Sequence, residues 1–187
     1  MKAFLAGVAA TIAVMFAGVY VYFSAGMAPA ATSASPMPFE EEFANMALHA
    51  RIAREMPKQV PIQADQTNLL AGGHIYVDNC AVCHGLPGKE QNAIAKGEFP
   101  SPPQLFKGKG VTDDEPGETY WKVANGIRLT GMPGFSQSLS SAEMWQVSLL
   151  LANADKLSDP VKAVLTGPNA AGSSSGAQGV NSQGARK

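Results

Sequence analysis

The sequence is short of cysteine, of histidine and of any excess charge. Fourteen basic side chains stand against fifteen acidic ones, a formal net charge of −1, which excludes a polycation built for nucleic acid. Cys80 and Cys83 are the only cysteines. They can make one disulfide, one half of a metal site, or the attachment point of a covalent group, and nothing larger. Three histidines, His49, His74 and His84, leave little material for a zinc site. Charge is also missing locally, since no acidic or basic residue stands between Lys2 and Glu40.

That uncharged stretch begins with AFLAGVAATIAVMFAGVYVYF, residues 3–23. About 20 apolar residues span a bilayer as a helix, whereas the apolar core of a secretory signal is shorter, about 7 to 15 residues. Length therefore predicts a single-pass transmembrane anchor over residues 1–30. Lys2 places its N-terminus in the cytoplasm and all that follows on the other side. The competing reading is a signal peptide removed after Ala28-Pro29-Ala30, which would release the rest as a soluble protein.

Small residues and proline from 24 to 38 read as a linker, with 31–38 as its part beyond the anchor; if flexible, it has a root-mean-square span of roughly 20 Å. FEEEFANMALHARIAREMPK, residues 39–58, carries an apolar stripe at Phe39, Phe43, Met46, Ala50 and Ala53. Acids open it and bases close it, as a helix dipole prefers. This amphipathic helix suits a membrane surface, the main domain or a partner. The main domain is expected over 59–160. A helix from about Asp65 to Asn79 stacks Gly72, Tyr76 and Cys80 on one face. A second, opened by a Ser140/Glu143 capping box, carries Trp145, Ser148, Leu149 and Ala152 on another. Between them runs a stretch rich in glycine and proline, with one short helix near GETYWKVANGI. So long a loop in a compact domain calls for something to fill it. Residues 161–187, almost without large apolar side chains beyond Gly167, read as a disordered tail.

The chemistry concentrates in NCAVCHG, residues 79–85. A C-x-x-C alone serves a redox dithiol, half a zinc site or a disulfide. Zinc lacks ligands at a suitable spacing, and a thioredoxin-type enzyme would show a βαβ pattern where helices flank the motif. The third residue decides: C-x-x-C-H is the attachment signature of c-type haem, with thioether bonds to Cys80 and Cys83 and His84 as iron ligand. A second axial ligand is supplied by Met132 in GIRLTGMPGF. Pro133 holds it extended, and Gly131 and Gly134 allow backbone to approach a flat ring. Thioether–imidazole ligation raises the potential and suits electron transfer. The other methionines lie in the anchor, the linker or helices. His49 and His74 read as solvated side chains.

Residues 66 to 157 resemble a class I cytochrome c domain, through the run Gly72-x-x-x-Tyr76-x-x-x-Cys80, the CxxCH site, the proline-rich wrapping loop and the Met132 loop; KVANGIRLTGMPGF is similar to short bacterial monohaem cytochromes. The resemblance implies an all-α class I fold with haem-wrapping loops, to which the N-terminal helix is added. It implies one covalent haem c, and first and last helices crossing where Gly72 meets Trp145 and Leu149. It also implies a proline carbonyl from the Pro102–Pro103 region on the far nitrogen of His84. Tyr120 and Trp121 become haem-pocket or core aromatics, and the haem-free chain is expected to fold poorly. The implied role is electron transfer without bond chemistry, on the periplasmic face of a bacterial cytoplasmic membrane, or in the periplasm after cleavage near Ala30. Its partners would be redox proteins, namely a quinol-oxidising complex, a dehydrogenase or a terminal oxidase. No nucleic acid and no small-molecule substrate is expected. A sensor or catalytic haem with an exchangeable sixth ligand, and a subunit of a larger oxidoreductase, are the alternatives. Basic and acidic residues balance between 85 and 130, from Lys89 and Glu90 to Glu118 and Arg128, so no one-sign docking face is expected.

Overall fold

The computed structural model describes residues 1–107 and 114–167. Two compact units divide it, Met1–Met46 and Ala47–Lys187. Among the described residues every regular element is a helix and none is a strand, as the all-α expectation requires.

In the first unit, α1 (Lys2–Ser24) is a 23-residue helix with no buried residue, about 34 Å long at 1.5 Å per residue. It is long and apolar enough to cross a membrane. Helix α2 (Glu40–Glu55) begins in this unit with Glu40, Glu41 and Glu42 in its first turn. Its expected apolar stripe is exposed: Phe39, Phe43, Met46, Ala50 and Ala53 all face solvent. The residue it buries is Ile52, off the stripe. The helix also stops before Pro57, which cannot continue the hydrogen-bond ladder.

In the second unit, α3 (Gln66–Asn79) starts where Asp65 accepts the Asn68 N–H at 2.9 Å, an N-cap that satisfies one orphan donor. One-turn α4 (Ala81–His84) follows at once, then short α5 (Ala93–Gly97), α6 (Pro116–Asn125), α7 (Ser141–Ala152) and α8 (Asp159–Thr166). Helix α3 packs on α7 and α8, and α6 packs on α7. The core is built from Tyr76 and Val77 of α3, Val123 of α6, Val147, Leu150 and Leu151 of α7, and Val161 and Leu165 of α8.

Two expectations shift. The α3–α7 crossing is closed by Gly72, but a Cβ there would strike the Gln146 carbonyl and Leu150, so the contact lies one position on from Trp145 and Leu149. Trp145 instead stacks on Tyr120, with ring centroids 4.3 Å apart. The domain also runs past residue 160. Val161 and Leu165 are buried in the core, and burying such a side chain contributes about 1.5–3 kcal/mol, so 161–166 belongs to the fold and not to a tail. The tail expected over the rest, 168–187, lies outside the described residues.

The start of α7 is capped from both sides. The Ser140 side chain accepts the Glu143 N–H at 3.3 Å, and Glu143 Oε2 accepts the Ser140 N–H at 2.7 Å, the expected capping box. The incoming segment is fastened to α6. Trp121 Nε1 donates to Glu55 Oε2 at 3.2 Å, and Gly117 lies so close to the Pro57 carbonyl that a Cβ would collide with it. Trp121 therefore serves this junction.

Candidate functional site

The site begins where α3 ends. Cys80 caps α3, and its carbonyl accepts the N–H groups of Cys83 and His84, so the chain turns at once into α4 and presents Cys80, Cys83 and His84 within one turn. Gly85 follows at φ 74, a left-handed conformation that glycine adopts without strain. Its carbonyl accepts the buried Tyr76 hydroxyl at 2.7 Å. Tyr76, edge-on to Phe106 at 4.9 Å, thereby locks the end of the turn to the core. Its burial raises the hydroxyl pKa.

The two thiols are unpaired. Burial, and then the neighbouring Cys83, push Cys80 up to about 12. Burial together with the Glu98 carboxylate, which accepts from Cys83 Sγ at 3.3 Å, pushes Cys83 up to about 11. Both are neutral thiols at neutral pH. Burial likewise lowers the His84 pKa, opposed by its bond to Pro103 and by Glu98. His84 is thus a neutral imidazole. Its Nδ1 lies 2.8 Å from the Pro103 carbonyl; a carbonyl only accepts, so Nδ1 carries the proton and Nε2 keeps the free lone pair. The Pro102–Pro103 expectation resolves to Pro103.

Met132 sits in a pinned loop. Thr130 Oγ1 donates to the Ile127 carbonyl at 2.7 Å and accepts the Met132 N–H at 3.1 Å; the Ile127 N–H donates to the Met132 carbonyl at 3.2 Å. Phe135 N–H then bonds Val123 O at 2.9 Å, returning the loop to α6. Gly134 is needed for this closure, because its Cβ would meet the Asn125 and Ala124 carbonyls. Met132 and Cys80 pack against the same core cluster. Glu98, which carries no signal of its own in the sequence, links the two parts: its carboxylate touches Cys83 and lies against Gly131, beside Met132. His49 and His74 are exposed and belong to neither part.

Among the described residues no group of three or more His, Cys, Asp or Glu side chains could hold a metal ion on its own. The donors present, two free thiols, one neutral imidazole with a free nitrogen and one thioether, fit a covalently held haem instead. The family described as cytochrome c oxidase, cbb3-type, subunit III, has a model that matches residues 67–149. Those residues form a c-type cytochrome domain. No curated protein and no solved structure matches the chain. The cytochrome domain covers the whole site, from the start of α3 to Leu149 in α7. Haem binding and electron transfer are what such a domain provides.

Proposed function

We propose that this protein is a membrane-anchored, monohaem electron-transfer protein. Cys80 and Cys83 would hold the haem through thioether bonds, and His84 and Met132 would bind its iron. When bound, the haem supplies a one-electron couple. The chain's own residues fix how that couple behaves. The single observation that carries the reading is the 2.8 Å bond from His84 Nδ1 to Pro103 O beside two unpaired thiols. Such a bond fixes the tautomer, orients the ring and raises the basicity of the nitrogen turned to the metal. Met132, held by Thr130 in a short loop, suits the opposite side and a raised potential. If His84 and Met132 both bind the iron, no coordination site would remain for substrate, which would separate an electron carrier from a gas sensor or a peroxidase.

The 23-residue α1 supports an anchor that keeps the cytochrome domain on the periplasmic face, with redox proteins as partners. The family match favours one such arrangement, a subunit of a terminal oxidase complex rather than a free shuttle.

Two measurements test the reading. The denatured holoprotein should retain its haem on a gel, and Cys80→Ala with Cys83→Ala should lose it; haem that washes out of the wild type refutes covalent attachment. Met132→Ala should keep the haem, lower the potential and bind carbon monoxide readily. A wild type that already binds carbon monoxide at once would point to the sensor class.

A further inference from the structure

Two adjacent side chains, Gln91 and Asn92, reach in different directions from the start of α5. Asn92 Oδ1 caps that helix, accepting the Ala95 N–H at 2.9 Å, while its Nδ2 donates to the Val82 carbonyl at 2.6 Å. Val82 lies between the two cysteines. Gln91 Nε2 donates to the Pro102 carbonyl at 2.7 Å. The next carbonyl along, that of Pro103, is the one that receives His84 Nδ1.

The wrapping loop needs such a tie. Proline has no N–H, so Pro100, Pro102 and Pro103 cannot donate to hold the loop in place. Among the described residues the segment 98–103 makes no backbone–backbone hydrogen bond outside helices. Besides the His84 bond, the hydrogen bonds that tie it to the rest of the domain are Cys83 Sγ to Glu98 at its start and Gln91 Nε2 to Pro102 O at its proline pair; the 3.4 Å bond from Ser101 Oγ to Glu98 O stays within the segment. Pro102 O lies in the same rigid plane as Pro103 N, and the Pro103 ring fixes the φ that follows, so displacing Pro102 O moves the residue that carries the next carbonyl.

Resting on the haem reading above, we infer that Gln91 is a positioning residue for the axial histidine. It holds the Pro102–Pro103 segment so that Pro103 O fixes the His84 ring, while Asn92 ties the attachment turn to the same point. A firm Nδ1–H···O bond makes His84 a stronger donor and favours ferric iron. Loosening it therefore raises the midpoint potential.

The test compares wild-type holoprotein with Gln91→Leu, which keeps bulk and removes the donor. Expected are an intact covalent haem with Met132 still bound, a higher midpoint potential, and faster solvent exchange of the His84 Nδ1 proton by NMR. Losing such outer-shell partners costs about tenfold or more in metal affinity; a tenfold loss in ferric over ferrous preference corresponds to about 59 mV in a one-electron couple. Gln104→Leu, which removes the amide side chain next to Pro103, one that makes no hydrogen bond among the described residues, should leave both readouts at wild-type values. Unchanged potential and exchange in Gln91→Leu overturn the inference. Equal shifts in Gln91→Leu and Gln104→Leu overturn it too, since general loosening would then suffice. If Gln91→Leu does not accumulate, the reduced wild type decides: a protected Gln91 side-chain amide proton supports the tie, and a freely exchanging one overturns it. Haem lost from the denatured wild type would instead refute the attachment reading, a separate result.

Discussion

Among the described residues, Leu129 is one of two outside glycine that adopt a left-handed backbone, Phe39 being the other. It is 93% exposed and stands at φ 61, where a side chain other than glycine or asparagine costs about 1–2 kcal/mol. The Thr130 hydroxyl, bonded on both sides, creates the turn that imposes this conformation on the way to Met132. Leu129→Asn should therefore stabilise the holoprotein and Leu129→Val should destabilise it, since a β-branched side chain is worst at positive φ. The spread between the two should be about 1 kcal/mol or more, read from chemical denaturation. Asn no more stable than Val would show that the loop relaxes freely.

At the scale of elements, the α3–α7 crossing and the start of α7 make separate predictions. At Gly72 the opposing atom is a backbone carbonyl, which cannot rotate away as a side chain would, so Gly72→Ala should force the helices apart. A cost of about 1–3 kcal/mol is expected for such overpacking, visible as a lower denaturation midpoint in the holoprotein; an unchanged midpoint would mean that the crossing adapts. At the N-terminus of α7 the bonds from Ser140 lower the Glu143 pKa. Its folded pKa is below its unfolded one, so its contribution is present above the ordinary glutamate range, about 4.3, and fades as pH falls through the folded value. The stability gap between wild type and Glu143→Gln should be open at pH 7 and narrow as the pH falls below the ordinary glutamate range. A gap independent of pH would remove the carboxylate from the capping account.

These two elements also divide what was legible in the sequence from what was not. The start of α3 near Asp65, the Ser140/Glu143 box and the run from Gly72 to Cys80 are written in local spacing, and each forms where that spacing puts it. The cysteines and His84 needed no tertiary information to be paired as a motif. Ile52 was missed because α2 has two faces, and which one docks depends on Trp121 and Gly117, far along the chain. Helix α8 was missed because it is only eight residues long, and its apolar face at Val161 and Leu165 matters only once α3 offers a surface. Gln91 and Glu98 gave no signal, since an amide or a carboxylate in a loop acquires its role from whichever backbone the fold brings near.

On the scale of the whole molecule, α1 is 23 residues long and none of them is buried. Transfer of that surface to lipid is its favourable outcome. The full-length protein should pellet with membranes and resist carbonate washing, and removal of residues 1–30 should release a soluble haem domain. An intact mass beginning at Ala31 would contradict the anchor. The fastening of Glu55 and Pro57 onto α6 has a mechanical consequence. The chain enters its domain through the helix that leads directly into the Met132 loop, while His84 hangs from α3 on the opposite side of the sequence. A load drawn through the N-terminus would pass from Glu55 and Pro57 into α6 as well as along the chain into α3, so tension would reach the loop that carries Met132 as well as the turn that carries His84.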